Sequence, residues 1–229
     1  MKTIGLIGGM SWKSTVEYYR IINEEIKNRL GGFHSARCIL YSVDFDEIES
    51  YQRTNKWDRA AAVLIQAAKG IEKAGADFLI LCTNTMHKVA DKIKTNVDIP
   101  LLHIAEATAE EVLKSSIKNI GLVGTKFTME QKFYTSVLEE KGLRVVIPEE
   151  KDRNLVHRVI YEELVSGKIL EESRQEFKRI IRKLITSGAE GIILGCTEIG
   201  LLMKAEDSEV PLFDTTYIHA VKAVDYALR

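Results

Sequence analysis

Phe78-Leu79-Ile80-Leu81-Cys82-Thr83-Asn84-Thr85-Met86-His87 is the stretch from which the fold is read. Four consecutive apolar residues ending at small polar ones read as a buried strand that stops at a cysteine, with a helix predicted from about Met86 to Lys94. Gly191-Ile192-Ile193-Leu194-Gly195-Cys196-Thr197-Glu198 is a second such stretch. Ala74-Gly75-Ala76-Asp77 precedes the first, and Ser187-Gly188-Ala189-Glu190 precedes the second.

The correspondence extends in both directions. Ile4-Gly5-Leu6-Ile7-Gly8-Gly9 is echoed by Ile120-Gly121-Leu122-Val123-Gly124-Thr125, and Ile99-Pro100-Leu101-Leu102 by Val210-Pro211-Leu212-Phe213. The landmark pairs 4 and 120, 82 and 196, 99 and 210 keep their order at offsets of 116, 114 and 111 residues, which is the mark of a duplicated chain. Strand patterns alternate with helical ones, including Asp58 to Gly75, Ala105 to Lys114, Asn154 to Leu164 and Leu170 to Ser187. The alternation predicts an α/β protein of two similar parallel-sheet domains related by a pseudo-two-fold duplication, with the active site in the cleft between them. The predicted domains are residues 1–100, completed by a C-terminal helix within 213–229, and residues 101–212. The segment from Asp44 to Trp57 reads as a polar connection carrying Gln52 and Arg53.

Composition narrows the function. Lys plus Arg (32) almost cancels Asp plus Glu (33), so there is no overall field to gather nucleic acid or an anionic membrane, and a small-molecule partner is expected. No apolar run approaches the roughly 20 residues that span a bilayer. Three cysteines (Cys38, Cys82, Cys196) without CxxC spacing argue against a disulfide framework and for a reducing, cytoplasmic setting. Lys13-Ser14-Thr15 comes after a glycine pair, but Trp12 stands where a phosphate-binding loop requires glycine. Cys82, His87 and Cys196 are too irregularly spaced for a zinc site, so no metal is expected.

In parallel α/β units ligands bind beyond the carboxyl ends of the strands, where Cys82 and Cys196 fall. Inverting a carbon that bears a hydrogen requires one group to remove a proton and a similar group to deliver one to the opposite face. Two thiols suit this task, because a nearby helix N-terminus can lower a thiol pKa from about 8.5 toward neutrality. Thr83, Asn84 and Thr85, and likewise Thr197 and Glu198, are capping-type residues that predict helix N-termini beside both sulfurs. Glu198 is positioned either to polarise Cys196 or to accept a hydrogen bond from a substrate ammonium. Cys38, inside a strand and without a counterpart, reads as a small hydrophobe.

At Cys82-Thr83-Asn84-Thr85-Met86-His87 and Gly195-Cys196-Thr197-Glu198 the sequence resembles the aspartate/glutamate racemase family, specifically its cofactor-independent amino-acid racemases. Residues 4–12, Ser42-Val43-Asp44-Phe45 and Phe213-Asp214-Thr215 extend the likeness over the chain. The resemblance implies a homodimer in which Cys82 and Cys196 act as thiol and thiolate without pyridoxal phosphate or any other cofactor. It places Met10, Gln52, Thr83, Asn84, Thr85, Thr197 and Glu198 against an amino-acid substrate. Lys168 or Arg53 is available for a distal carboxylate, as aspartate or glutamate would present. The alternatives are a broad-specificity racemase of the same family, a maleate isomerase-like enzyme with one cysteine as nucleophile, and a non-catalytic amino-acid-binding protein.

Overall fold

The computed structural model describes all 229 residues, which form two compact units: Met1–Ile104 with His219–Arg229, and Ala105–Ile218. The first contains β1 (Ile4–Gly8), α1 (Trp12–Leu30), β2 (Cys38–Ser42), α2 (Phe45–Arg53), α3 (Trp57–Lys73) and β3 (Phe78–Leu81). A 3-10 turn (Thr85–Val89), α4 (Ala90–Lys94) and β4 (Leu101–Leu102) come next. The four strands are parallel, in the order β2-β1-β3-β4.

Both central strands, β1 and β3, are buried along their whole length, which is why they read as unbroken apolar runs. The two-residue period of a strand then sorts their side chains. Ile4, Leu6, Phe78, Ile80 and Cys82 pack on one face with Tyr18, Ile22 and Ile26 of α1 and with Ala220, Ala223, Val224 and Ala227. Ile7, Leu79 and Leu81 pack on the other with Ala60, Leu64, Ala67, Ala68 and Ile71 of α3. Cys82 therefore continues the α1-facing row of its strand.

The second unit carries α5 (Ile104–Lys114) from Ala105 onward, β5 (Asn119–Gly124), α6 (Lys126–Glu130), α7 (Lys132–Glu140), β6 (Arg144–Val146) and α8 (Glu150–Val159), which runs on into a π-helical turn (Ile160–Leu164). Then come α9 (Glu171–Thr186), β7 (Gly191–Gly195), α10 (Ile199–Leu202) and β8 (Leu212–Asp214). The last helix, α11 (Thr215–Ala227), belongs to the first unit from His219 onward. The strands of the second unit are again parallel and in the equivalent order, β6-β5-β7-β8. Small details recur with the topology. A Cβ on Gly5 would come within 2.4 Å of Ile71 and 2.9 Å of Leu79, and one on Gly121 within 2.5 Å of Ile192 and 3.2 Å of Leu184. Ser11 caps α1 by accepting from the Ser14 amide, and Thr125 caps α6 by accepting from the Thr128 amide.

Two expectations are corrected. The connection after β2 is largely the helix α2: Asp44 accepts the Asp46 amide as its cap, Asp46 and Glu47 lie in the first turn, and Ile48 and Gln52, four apart, form its buried stripe. The units divide near 104 and 218 rather than at 100 and 212. Leu101 and Leu102 pair with Leu79 and Ile80, holding β4 in the first sheet, while Phe213 and Asp214 pair with Ile193 and Leu194, holding β8 in the second. No helix is long and apolar enough to cross a membrane.

Candidate active site

Each sheet delivers a cysteine one residue beyond the same strand: Cys82 after β3 and Cys196 after β7. Cys82 has no exposed surface. Its amide donates to the Ile7 carbonyl at 2.9 Å, continuing the ladder, and its carbonyl accepts the Ser14 hydroxyl at 3.4 Å. The chain then turns sharply, with the Thr83 amide bonded back to the Leu81 carbonyl at 2.8 Å.

Thr83, Asn84 and Thr85 are all buried in this turn. Gln52, buried on α2, donates from Nε2 to Sδ of Met86 at 3.0 Å, and Met10 lies in the same apolar cluster as Met86. The first unit thus brings Met10, Gln52 and residues 82–86 together. Beneath the turn lie three buried histidines. The His87 ring meets those of His103 and His219 edge to face at centroid distances of 4.5 and 5.8 Å. Burial holds His87 well below the usual imidazole range and lowers His103 and His219 to about 4. No group of three or more His, Cys, Asp or Glu side chains is arranged to hold a metal ion.

Around Cys196 the chemistry is different. Its thiol donates to Oε2 of Glu198 at 3.1 Å, and the Thr197 hydroxyl donates to the same oxygen at 2.7 Å. Glu198 is 2% exposed, so these short bonds help to offset the loss of water around its carboxylate. Asp214 adds a second carboxyl group: its amide partners are Thr216 and Tyr217, at 2.8 and 3.4 Å, and a Cβ on Gly200 would lie 2.3 Å from its Oδ2. Burial raises the Asp214 pKa.

The expected lowering of the thiol pKa values is not found. Burial pushes the Cys82 thiol up, and burial, with the Glu198 carboxylate adding to it, pushes Cys196 well up. Helical segments do come after both turns, but Thr85–Val89 and Ile199–Leu202 are five and four residues long, and so short a run of aligned peptides does not outweigh complete desolvation. Both sulfurs rest as thiols.

Lys168 is exposed, in a turn closed by its amide bonding to the Glu163 carbonyl, and Arg53 is exposed and paired with Glu49 at 3.5 Å. Sequence reasoning missed the Gly200–Asp214 approach and the grouping of Tyr18, His87, His103 and His219. In the sequence His87 stands out only against a zinc site, and no periodicity links it to Tyr18, His103 or His219.

Residues 7–223 match the model of a family described as Asp/Glu/Hydantoin racemase. A broad specificity amino-acid racemase, RacX, from Bacillus subtilis is 24% identical over 93% of this chain and 92% of its own. Among solved structures, a candidate Asp/Glu racemase from Yersinia pestis is 54% identical with a TM-score of 0.93, and an aspartate racemase homologue from Pyrococcus horikoshii is 37% identical with a TM-score of 0.87. Both similarities cover all of each chain. The chain belongs to the Asp/Glu/hydantoin racemase family, and is accordingly an isomerase with that family's two-domain α/β fold.

Proposed function

We propose that this protein is an amino-acid racemase that uses Cys82 and Cys196 as paired proton carriers, without pyridoxal phosphate, on aspartate or glutamate. The observation that carries the reading is the duplication itself: two sheets of equivalent strand order each end the same strand in a buried cysteine, with threonine as the next residue in both. Thr83, Asn84, Thr85, Thr197 and Glu198 are the polar side chains of those turns, and Met10 and Gln52 line the first. They are the residues we assign to substrate binding, together with Lys168 for a distal carboxylate.

Because both sulfurs rest protonated, one must lose its proton before it can act as base. For Cys196 the acceptor is at hand: the S–H proton passes to the Glu198 carboxylate with which it is already hydrogen-bonded. The thiolate then removes the α-proton, forming an S–H bond while the C–H electron pair stays on the substrate. Cys82 delivers its thiol proton to the opposite face and becomes a thiolate in turn. The substrate enters and leaves with the same composition; the opposite enantiomer binds the form with Cys82 as thiolate and runs the sequence in reverse, and the resting state returns when the Glu198 carboxyl group gives its proton to water and the Cys82 thiolate takes one from water. Stabilising the developing carbanion falls to hydrogen-bond donors of the turns.

The test is incubation with single enantiomers in deuterium oxide, without added cofactor. Deuterium should enter the α-carbon as racemisation proceeds, and Cys82→Ser and Cys196→Ser should each reduce the rate by at least about a thousandfold. Full activity in either variant would remove the two-thiol mechanism. A stable thioether to substrate without α-exchange would instead indicate a nucleophilic cysteine, as in maleate isomerase-like enzymes, and stabilisation by ligand without turnover would indicate a binding protein. A broad substrate range is the second reading, favoured by the similarity to RacX along nearly the whole of both chains. The same proposal takes the enzyme to be a cytoplasmic homodimer, which sedimentation of the purified protein would check.

A further inference from the structure

The two cysteine turns are built on one plan but secured differently. Five residues after Cys82 comes His87; five residues after Cys196 comes Leu201. His87 is 3% exposed, and both of its ring nitrogens are engaged. Nδ1 lies 2.7 Å from the carbonyl oxygen of Thr83, and Nε2 lies 3.2 Å from the amide nitrogen of Ile104.

These partners settle the proton. A carbonyl oxygen only accepts, so Nδ1 carries the hydrogen; an amide N–H only donates, so Nε2 presents its lone pair. The ring is neutral, in one tautomer, and bridges the residue after Cys82 to Ile104, both within the first unit. His219 is fixed by the same logic. Its Nε2 donates to the Leu102 carbonyl at 3.0 Å, and its Nδ1 accepts the Tyr18 hydroxyl at 2.9 Å. The two rings thus tie the Cys82 turn and the end of β4 into a packed layer reaching α1.

We propose that His87 is a positioning residue for Cys82, whose neutral ring clamps the Thr83 carbonyl and so fixes the turn that presents the sulfur. As a role in catalysis this rests on the racemase reading above; as a mechanical statement about the turn it does not. The second turn has an apolar residue at the matching place and holds its sulfur through the local bond to Glu198, so loss of the histidine should disturb one cysteine and spare the other.

Amide side chains separate the two halves of the clamp. The Asn amide coincides with Nδ1 and can donate to Thr83, the Gln amide coincides with Nε2 and can accept from Ile104, and Leu does neither. The experiment compares iodoacetamide labelling rates of Cys82 and Cys196, resolved by peptide mass spectrometry, in the wild type and in folded His87→Asn, His87→Gln and His87→Leu proteins. Removing the bond to Thr83 should speed Cys82 labelling about tenfold in His87→Gln and His87→Leu, with Cys196 unchanged and His87→Asn close to wild type. In the racemase assay the same two variants should lose about tenfold in kcat with KM held within about threefold.

Equal acceleration at both cysteines, or no acceleration at Cys82, would overturn the proposal. If His87→Leu does not fold, equal labelling in His87→Asn and His87→Gln overturns it on its own. Selective labelling of Cys82 in a protein without racemase activity would uphold the clamp while removing the functional reading.

Discussion

The thiol of Cys196 and the carboxylate of Glu198 are joined by a 3.1 Å hydrogen bond within a buried turn, and Cys82 has no corresponding carboxylate in its own turn. A negative charge beside a thiol opposes its ionisation, which is why Cys196 stands well above the ordinary cysteine range once burial has already raised it. Replacing Glu198 by Gln removes the charge and keeps the shape. Cys196 should then ionise more readily, with labelling by iodoacetamide at pH 8 rising about tenfold for each unit recovered. Racemisation should fall, because the acceptor for the thiol proton is gone. Slower labelling in the variant would contradict the assigned direction of the charge effect.

The histidine layer makes stability depend on pH in a definite direction. His103 and His219 titrate near 4 when folded, against 6.5 for the free side chain, so the unfolded chain takes up protons first as the pH falls. Their neutral forms therefore support the fold fully above about pH 6.5, and that support is lost progressively down to about pH 4. Each shift corresponds to roughly 3 kcal/mol at its limit, with His87 acting in the same sense. Urea midpoints measured at pH 7, 5.5 and 4.5 should decline steadily. A flat profile over that interval would show that the three rings are not buried in their neutral forms.

Gly9 should be intolerant of any side chain. Its φ is 96°, and a Cβ built there would lie 2.2 Å from the Val43 carbonyl oxygen and 2.7 Å from its nitrogen. Gly75 has a nearly equal φ of 94° with open space around it. Gly75→Ala should therefore cost about 1 kcal/mol from the left-handed backbone alone, and Gly9→Ala about 3 kcal/mol because backbone must move as well. Denaturant titration of the two variants side by side isolates the steric contribution. Equal losses would mean that the loop after β1 yields without cost.

Lys168 offers a check on substrate class. It is exposed on the turn after the π-helical segment. If it meets a distal carboxylate, Lys168→Ala should raise KM for aspartate or glutamate about tenfold while leaving that for a neutral amino acid unchanged. A parallel rise for both would remove it from distal recognition.

Local chemistry was plain in the sequence, and long-range chemistry was not. The apolar run before Cys82, its echo before Cys196 and the glycines of β1 and β5 revealed the fold because each is decided by neighbours within a strand or a turn. The helix α2 was concealed by its charges, although Asp44 with Asp46, and Ile48 with Gln52, carried its cap and its buried stripe. The acidity of the thiols was misjudged because motif spacing reports the neighbours of a cysteine along the chain but not how completely water is excluded from it. His219 lies more than a hundred residues from both His87 and Tyr18, and Asp214 reaches Gly200 only through the pairing of β8 with β7, so both groupings exist only once the sheets have formed.

The covering of the first sheet bears on the order in which the protein takes shape. Ala220, Ala223, Val224 and Ala227 complete the face of that sheet that Ile4, Leu6 and Phe78 begin, and the Lys2 amide is bonded to the Ala227 carbonyl at 2.9 Å. On the ribosome, residues 1–104 must wait with that face covered by α1 alone until residues 219–229 have been translated, whereas the contiguous second unit needs no later segment to close its core. The half synthesised first is thus the half finished last, and it is in that interval that a nascent chain would most need the shelter of a chaperone.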